Sequence, residues 1–257
     1  MKEMLNMIDS LKGLFSRRGE NHELELGAVA EWAQRCGHRF KRARGDEGFV
    51  IEGMLDHKPW RIEWGPSQRP YIAGRELRLR MALGLPSAMQ MLLLSRPLMG
   101  VLERRTFEQF TDNVQTQSGD QTPEEMRWLV MFPKVNLSEM GLLRLHFGAV
   151  ANQPAIGLAW VTGPLAHLLE KSLRDLLRGD PPFVLMTLRG RAYMRMQLAS
   201  PSVEALAGAL ALFEAAVTQA GLAAEGIVDR RAPRESSAPT AWQSLQPAEP
   251  RGLRKRT

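Results

Sequence analysis

The chain contains one cysteine, Cys36, and two tyrosines. A single cysteine excludes an internal disulfide framework. On a predicted helix it reads as a small buried hydrophobe rather than a nucleophile. At 257 residues no staple is needed, since a core of about 200 residues buries roughly 70% of the surface its unfolded chain exposes. The catalytic signatures that can be read by eye are also missing: no Walker lysine loop, dinucleotide glycine fingerprint, nucleophile elbow or HExxH occurs. His22, His38, His57, His146 and His167 are never spaced as ligand pairs. No metal and no cofactor is therefore expected. His57 falls in a predicted turn, and His146 and His167 are expected beside apolar surface as neutral imidazoles.

Long unbroken apolar runs are lacking too. Leu83 to Leu102 is interrupted by Arg96 and Pro97, and an arginine at mid-span costs about 2.5–3.5 kcal/mol on insertion scales. Phe147 to Leu169 has no charged residue but is broken by Asn152, Gln153, Pro154, Gly157, Thr162, Gly163 and Pro164. Neither has the length of continuous apolar sequence that a membrane span needs. Met1 to Phe15 lacks both the apolar core and the cleavage site of a secretory signal. A reducing bacterial cytoplasm is the expected compartment, with the periphery of the inner membrane as the variant.

Charge is not lacking, but it is weak evidence for a nucleic-acid partner. The formal net charge is +6. Residues 223–257 carry seven Arg and Lys against four Asp and Glu, so half of the excess sits in that tail. The 27 arginines against 7 lysines have the look of a GC-rich bacterial genome, which leaves composition as the simpler explanation.

What is present is periodicity. Met4, Met7, Ile8, Leu11, Leu14 and Phe15 make one stripe of an amphipathic helix over 1–19, which fits packing better than lipid because Glu3 and Asp9 lie on it. A helix from Glu23 to about Cys36 follows, with Leu26, Val29, Ala30 and Ala33 inward and Gly37 as its left-handed cap. Pro86 to about Asp112 reads as a long helix kinked at Pro97 and Gly100, whose Met and Leu stripe is core. Thr122-Pro123-Glu124-Glu125 has the form of a capping box opening a short helix to Met131. Ser138 to Val150 is read as a strand with Leu143, Leu145, Phe147 and Ala149 on one face, a short helix being the alternative. Gly163 to Arg178 is a helix, and Pro201 to Ala220 another, capped by Ser200 and ended by Gly221.

Two stretches alternate with period two. Phe183 to Leu198 reads as a hairpin turning at Arg189-Gly190, with Phe183, Leu185, Ala192, Met194 and Met196 on one face and Val184, Met186, Tyr193 and Arg195 on the other. Gly48 to Met81 reads as a twisted antiparallel sheet. A turn over Asp56 to Pro59 would set Leu55 opposite Trp60, Gly53 opposite Ile62 and Ile51 opposite Trp64 on a core face. The same register sets Glu52 opposite Glu63 on a charged face that Glu76, Arg78 and Arg80 extend, while Leu77, Leu79 and Met81 join the core. Between them, GPSQRPYIAG (65–74) is a loop stiffened by glycine and proline that holds Arg69 and Tyr71.

The fold class is thus α+β: antiparallel hairpins or a meander packed on long amphipathic helices. The globular region is 20–222, with 20–133 and 134–222 as candidate related halves, and the Pro-, Ser-, Ala- and Arg-rich tail 223–257 is expected to be disordered. In that tail Trp242 is the lone aromatic residue, a docking residue or a chance remnant.

Function follows from the charged face and the missing motifs. The expected activity is non-enzymatic: binding of a macromolecule, most simply a protein, as an adaptor, chaperone-like or regulatory module, through Arg61, Arg69, Tyr71, Arg78 and Arg80. A second reading is a nucleic-acid or anionic-membrane binder using the basic tail and the first helix. A third is an enzyme using Glu52 and Glu63 as paired carboxylates, set against the plainer reading of a solvated ion-pair ladder.

Overall fold

A computed structural model describes residues 23–43, 48–111 and 123–231. The helix expected over 1–19, the loop before the capping box and the tail beyond 231 lie outside the described residues. Within them the chain is α+β. The first helix, α1, spans 23–35, and Leu26, Val29 and Ala33 are its buried stripe, as the spacing requires. It stops at Gly37, whose φ of 72° only glycine adopts without strain. Cys36 at its end is exposed, not buried as expected.

Four strands follow as a meander: β1 (Arg39–Arg42), β2 (Phe49–Leu55), β3 (Lys58–Pro66) and β4 (Arg75–Ala82). The β2–β3 turn is Asp56-His57 alone, both at positive φ (47° and 61°), the two-residue geometry that matches strand twist. It is two residues tighter than expected, so the register moves by two: Phe49 faces Trp64, Ile51 faces Ile62, and Gly53 faces Trp60. A shift of two preserves parity, so Phe49, Ile51, Trp60, Ile62 and Trp64 are all core, as read. Gly53 is required there, since a Cβ on it would lie 2.2 Å from the Trp60 ring.

The expected helix from Pro86 is not formed. Met91–Ser95 is strand β5, and only Arg96–Thr111 is helical (α2). Pro97 therefore sits at the helix start, where its missing N–H costs nothing, instead of kinking a longer helix. Helix α3 (Glu124–Met131) falls where expected. Ser138 to Val150 divides between the two readings: α4 (Leu143–His146) leads directly into strand β6 (Phe147–Ala151). Leu143 is buried, but Leu145 is exposed rather than in line with Phe147. Helices α5 (Pro154–Val161) and α6 (Pro164–Ser172) come next, α6 ending six residues before Arg178. Strands β7 (Phe183–Leu188) and β8 (Arg191–Gln197) make the hairpin at Arg189-Gly190 with the expected faces. The last helix, α7 (Val203–Arg231), runs through Gly221 and past Ala223, where a loop and tail were expected. Its first-turn hydroxyl partner is Ser202, which accepts from the Ala205 N–H, while the Ser200 hydroxyl goes to Glu25.

All eight strands join one antiparallel sheet in the order β1-β2-β3-β4-β8-β7-β5-β6. Strand β5, from the stretch 20–133, lies between β7 and β6 from the stretch 134–222, so one sheet spans both. Its first face is covered along its length by α1, α5, α6 and α7. Its second face is covered chiefly over β5, β6 and β7, where α2, α3, Tyr71 and Ile72 pack on Leu92, Leu94, Val150, Val184 and Met186, and the cover reaches Tyr193 of β8. The apolar stretches Leu83–Leu102 and Phe147–Leu169 are each divided between strand and helix. Among the described residues one stretch, Val203–Gly226 of α7, is long and apolar enough to cross a membrane. Here its Leu206, Ala209, Phe213, Ala216 and Ala220 face the core.

Candidate functional site

The uncovered half of the second face, over β1 to β4 and β8, is where the charges gather. Strand parity puts Arg39, Lys41, Arg61, Arg78, Arg80, Arg191 and Arg195 on it against Glu52, Glu63 and Glu76. That is a surplus of four positive charges on one open sheet face. A face left in water must be polar, and alternation supplies it from every second residue of strands whose other face is core.

The three glutamates each gather several cations. Glu52 faces Arg61, not Glu63, and pairs with it at 2.9 Å and with Lys41 at 3.2 Å, with Arg39 more distant at 3.9 Å. The Lys41 hydrogen bond, then the charges of Lys41, Arg61 and Arg39, holds its carboxyl below the ordinary carboxylate range. Glu63 faces Arg78 across β3–β4 and meets Arg61 at 2.6 Å, Arg78 at 3.4 Å and Arg80 at 3.6 Å. Burial alone would raise the Glu63 carboxyl. The Arg61 hydrogen bond and the three guanidinium charges outweigh it and hold the group below its ordinary value. Glu76 is fully buried and accepts from Arg195 at 2.7 Å, Arg78 at 3.3 Å and the Gln68 backbone N–H at 2.7 Å. The paired-carboxylate arrangement expected of Glu52 and Glu63 is thus absent. The two-residue turn staggers them, and both are ionised partners of arginine rather than an acid and a base.

The loop 65–74 is positioned by a different carboxylate. Glu125, on the first turn of α3, is fully buried. One of its oxygens accepts from Tyr71 Oη at 2.9 Å and from Arg69 Nε at 3.2 Å. Its other oxygen, Oε2, is buried with no hydrogen-bond partner. Burial, and then the Glu125 charge, pushes the Tyr71 hydroxyl far above its ordinary value. Burial would lower Arg69, but the Glu125 charge beside it wins and raises it. Glu125 was read from sequence as the carboxylate of a capping box. In the structure α3 has no side-chain cap hydrogen bond, and Glu125 turns instead to the loop.

The five residues expected to form a partner face therefore divide. Arg61, Arg78 and Arg80 lie together on the open face, and Arg80, 54% exposed, is the one most available to a partner. Arg78 is largely buried, donating to the Pro66 carbonyl as well. Arg69 and Tyr71 border this face but are drawn into the Glu125 cluster. No family model matches the chain. No curated protein matches it either. Among solved structures it is similar to the crystal structure of the mycobacterial trehalose monomycolate transport factor A, TtfA, at 6% identity over 75% of this chain and 92% of that one, with a TM-score of 0.43. A likeness at that level has no bearing on function.

Sequence reasoning missed Arg39, Arg191, Arg195, Glu76's burial and Glu125. A signal existed for Arg191 and Arg195, which alternate with Met194 and Met196 along β8. The β4–β8 pairing that brings them beside Arg78 and Arg80 joins residues more than a hundred positions apart and leaves no local trace. Among the described residues no group of three or more His, Cys, Asp or Glu side chains is placed to hold a metal. His146 meets Asp180 at 2.7 Å, and His167 is exposed.

Proposed function

We propose that this chain is a non-enzymatic binding module, adaptor or chaperone-like, whose acidic protein partner docks on the open half of the sheet. The observation that supports the reading is the half-covered second face: α2 and α3 stop short of β1 to β4, and of the seven cations there Arg39, Lys41, Arg80 and Arg191 are exposed and Arg61 partly so, while Arg78, Arg195 and Glu76 lie deeper. A pleated face of this kind offers a broad, rigid surface, and guanidinium groups held by glutamates at fixed positions suit recognition of carboxylates in a set arrangement. Arg61 and Arg80 supply the centre of the contact, Arg78 supports it from beneath through Glu63 and Glu76, and Arg69 and Tyr71 define its border through Glu125.

The test is affinity capture from a native lysate at two salt concentrations, comparing the full chain with an Arg39→Glu/Arg80→Glu/Arg191→Glu variant. All three side chains are exposed, so the variant should fold. Protein partners held by the wild-type chain and lost by the variant would support the reading. Identical partner sets on both proteins would place any docking surface elsewhere.

A further inference from the structure

The open face is not uniformly charged. Toward the β2–β3 and β7–β8 turns it deepens into a cleft of about 670 Å³, walled on one side by Cys36, Gly37 and His38 where the chain leaves α1 for β1. The side chains of Gly53's neighbour Trp60 and of Met81 point to the helix-covered face, so β2, β3 and β4 give the cleft a backbone floor. Its charged lining is Arg39, Arg61, Arg80 and Arg191 against the single carboxylate Glu52.

These guanidiniums are not equally satisfied. Arg61 is held between Glu52 and Glu63. Arg39 reaches Glu52 only at 3.9 Å, a carboxylate already taken up by Lys41 and Arg61, and Arg80 reaches Glu63 only at 3.6 Å. Arg191 has no carboxylate within 4.0 Å among the described residues. Arg80 and Arg191, on the adjacent strands β4 and β8, therefore line the cleft with little neutralisation, whereas Arg39 on β1 lies three strands away at its far side. A carboxylate brings one negative charge and two oxygens. A phosphoryl group brings close to two charges and three acceptor oxygens, and planar guanidinium forks match it in paired hydrogen bonds. The cleft's size falls within the range of small-molecule sites.

We propose that this cleft is a binding site for a small, soluble phosphate-bearing ligand, held by Arg80 and Arg191. The cleft shares Arg61 and Arg80 with the proposed docking face, but titration with a small ligand and capture of a protein partner read the two separately, so either proposal can fail without the other. The test is calorimetric titration of the full chain with inorganic pyrophosphate at about 0.15 M salt, where exposed, non-specific charge attraction is largely screened. The expected result is saturable one-to-one binding, weakened roughly tenfold or more by Arg80→Gln/Arg191→Gln, the loss expected when charge-assisted hydrogen bonds are removed. The control pair Arg174→Gln/Arg178→Gln, exposed and remote from the cleft, should bind as the wild type does, and circular dichroism would confirm that both variants fold. No saturable binding, equal weakening in the control pair, or citrate binding as tightly as pyrophosphate would each overturn the proposal.

Discussion

The two halves of the sheet's second face answer the same problem in opposite ways. Over β5, β6 and β7 the strands are buried on both sides, and β5 reads Met-Leu-Leu-Leu-Ser with every residue buried. Over β2, β3 and β4 only one side is covered, and the sequence alternates apolar with charged. The difference shows that the period-two pattern is a signature of one-sided exposure and not of strands as such. A strand with helices on both faces loses the pattern and looks like a piece of buried helix.

The comparison can be broken most severely on the covered half. Leu92→Glu places a charge between β5 and α2 with no partner, and should cost about 4 kcal/mol or more, or prevent folding; a urea melt with a midpoint near wild type would contradict the two-sided burial. On the open half the largest effect should come from Glu76→Ala. It leaves Arg78 and Arg195 without their buried carboxylate, at about 3–5 kcal/mol by the same measurement. Gly53→Ala should cost about 1–3 kcal/mol because the added methyl meets the Trp60 ring, with near-ultraviolet circular dichroism reporting the displaced indole. Tyr71→Phe, which removes a hydrogen bond to a buried charged carboxylate, should cost about 1.5–3 kcal/mol. Arg80→Gln should change stability by no more than about 1 kcal/mol, although it belongs to both proposed contacts.

Acid provides a further contrast. The Glu63 carboxyl is held below its ordinary value when folded. Its contribution to stability is therefore complete above the ordinary carboxylate pKa and is lost as pH falls through the lowered folded value. Thermal melts between neutral pH and pH 3 should show a steeper loss for wild type than for Glu63→Gln. Parallel profiles would mean that the arginine cluster does not bias this carboxylate.

These contrasts also explain what could be read in advance. Both hairpins were assigned to the right faces because their strands alternate, and the Arg189-Gly190 turn was placed because glycine at positive φ marks it. The Asp56-His57 turn carries no glycine, so its register was misplaced by two residues and Glu52 was set against the wrong partner. Strand β5 was taken for helix because nothing in it alternates. Gly221 was taken for a stop, yet α7 passes through it because neighbouring positions are held in the core on both sides of it. At the site, Arg61, Arg78 and Arg80 were legible from alternation alone. The capture of Arg69 and Tyr71 by Glu125 was not, since that contact joins residues 54 and 56 positions apart across two elements.

The placement of β8 beside β4 has a consequence in time. While the chain is being made, β1 to β4 can form their meander as soon as Ala82 has emerged, but the free edge of β4 finds its partner only after Arg191 to Gln197 have followed. For more than a hundred residues of synthesis that edge stays open, and open edges recruit other strands. The bare side of the nascent meander carries Arg78 and Arg80 beside that edge, and their like charge on every copy works against copies pairing with one another. The same arginines that make the finished face a surface for recognition thus guard the unfinished one, until closure of a long loop completes the sheet and slows folding accordingly.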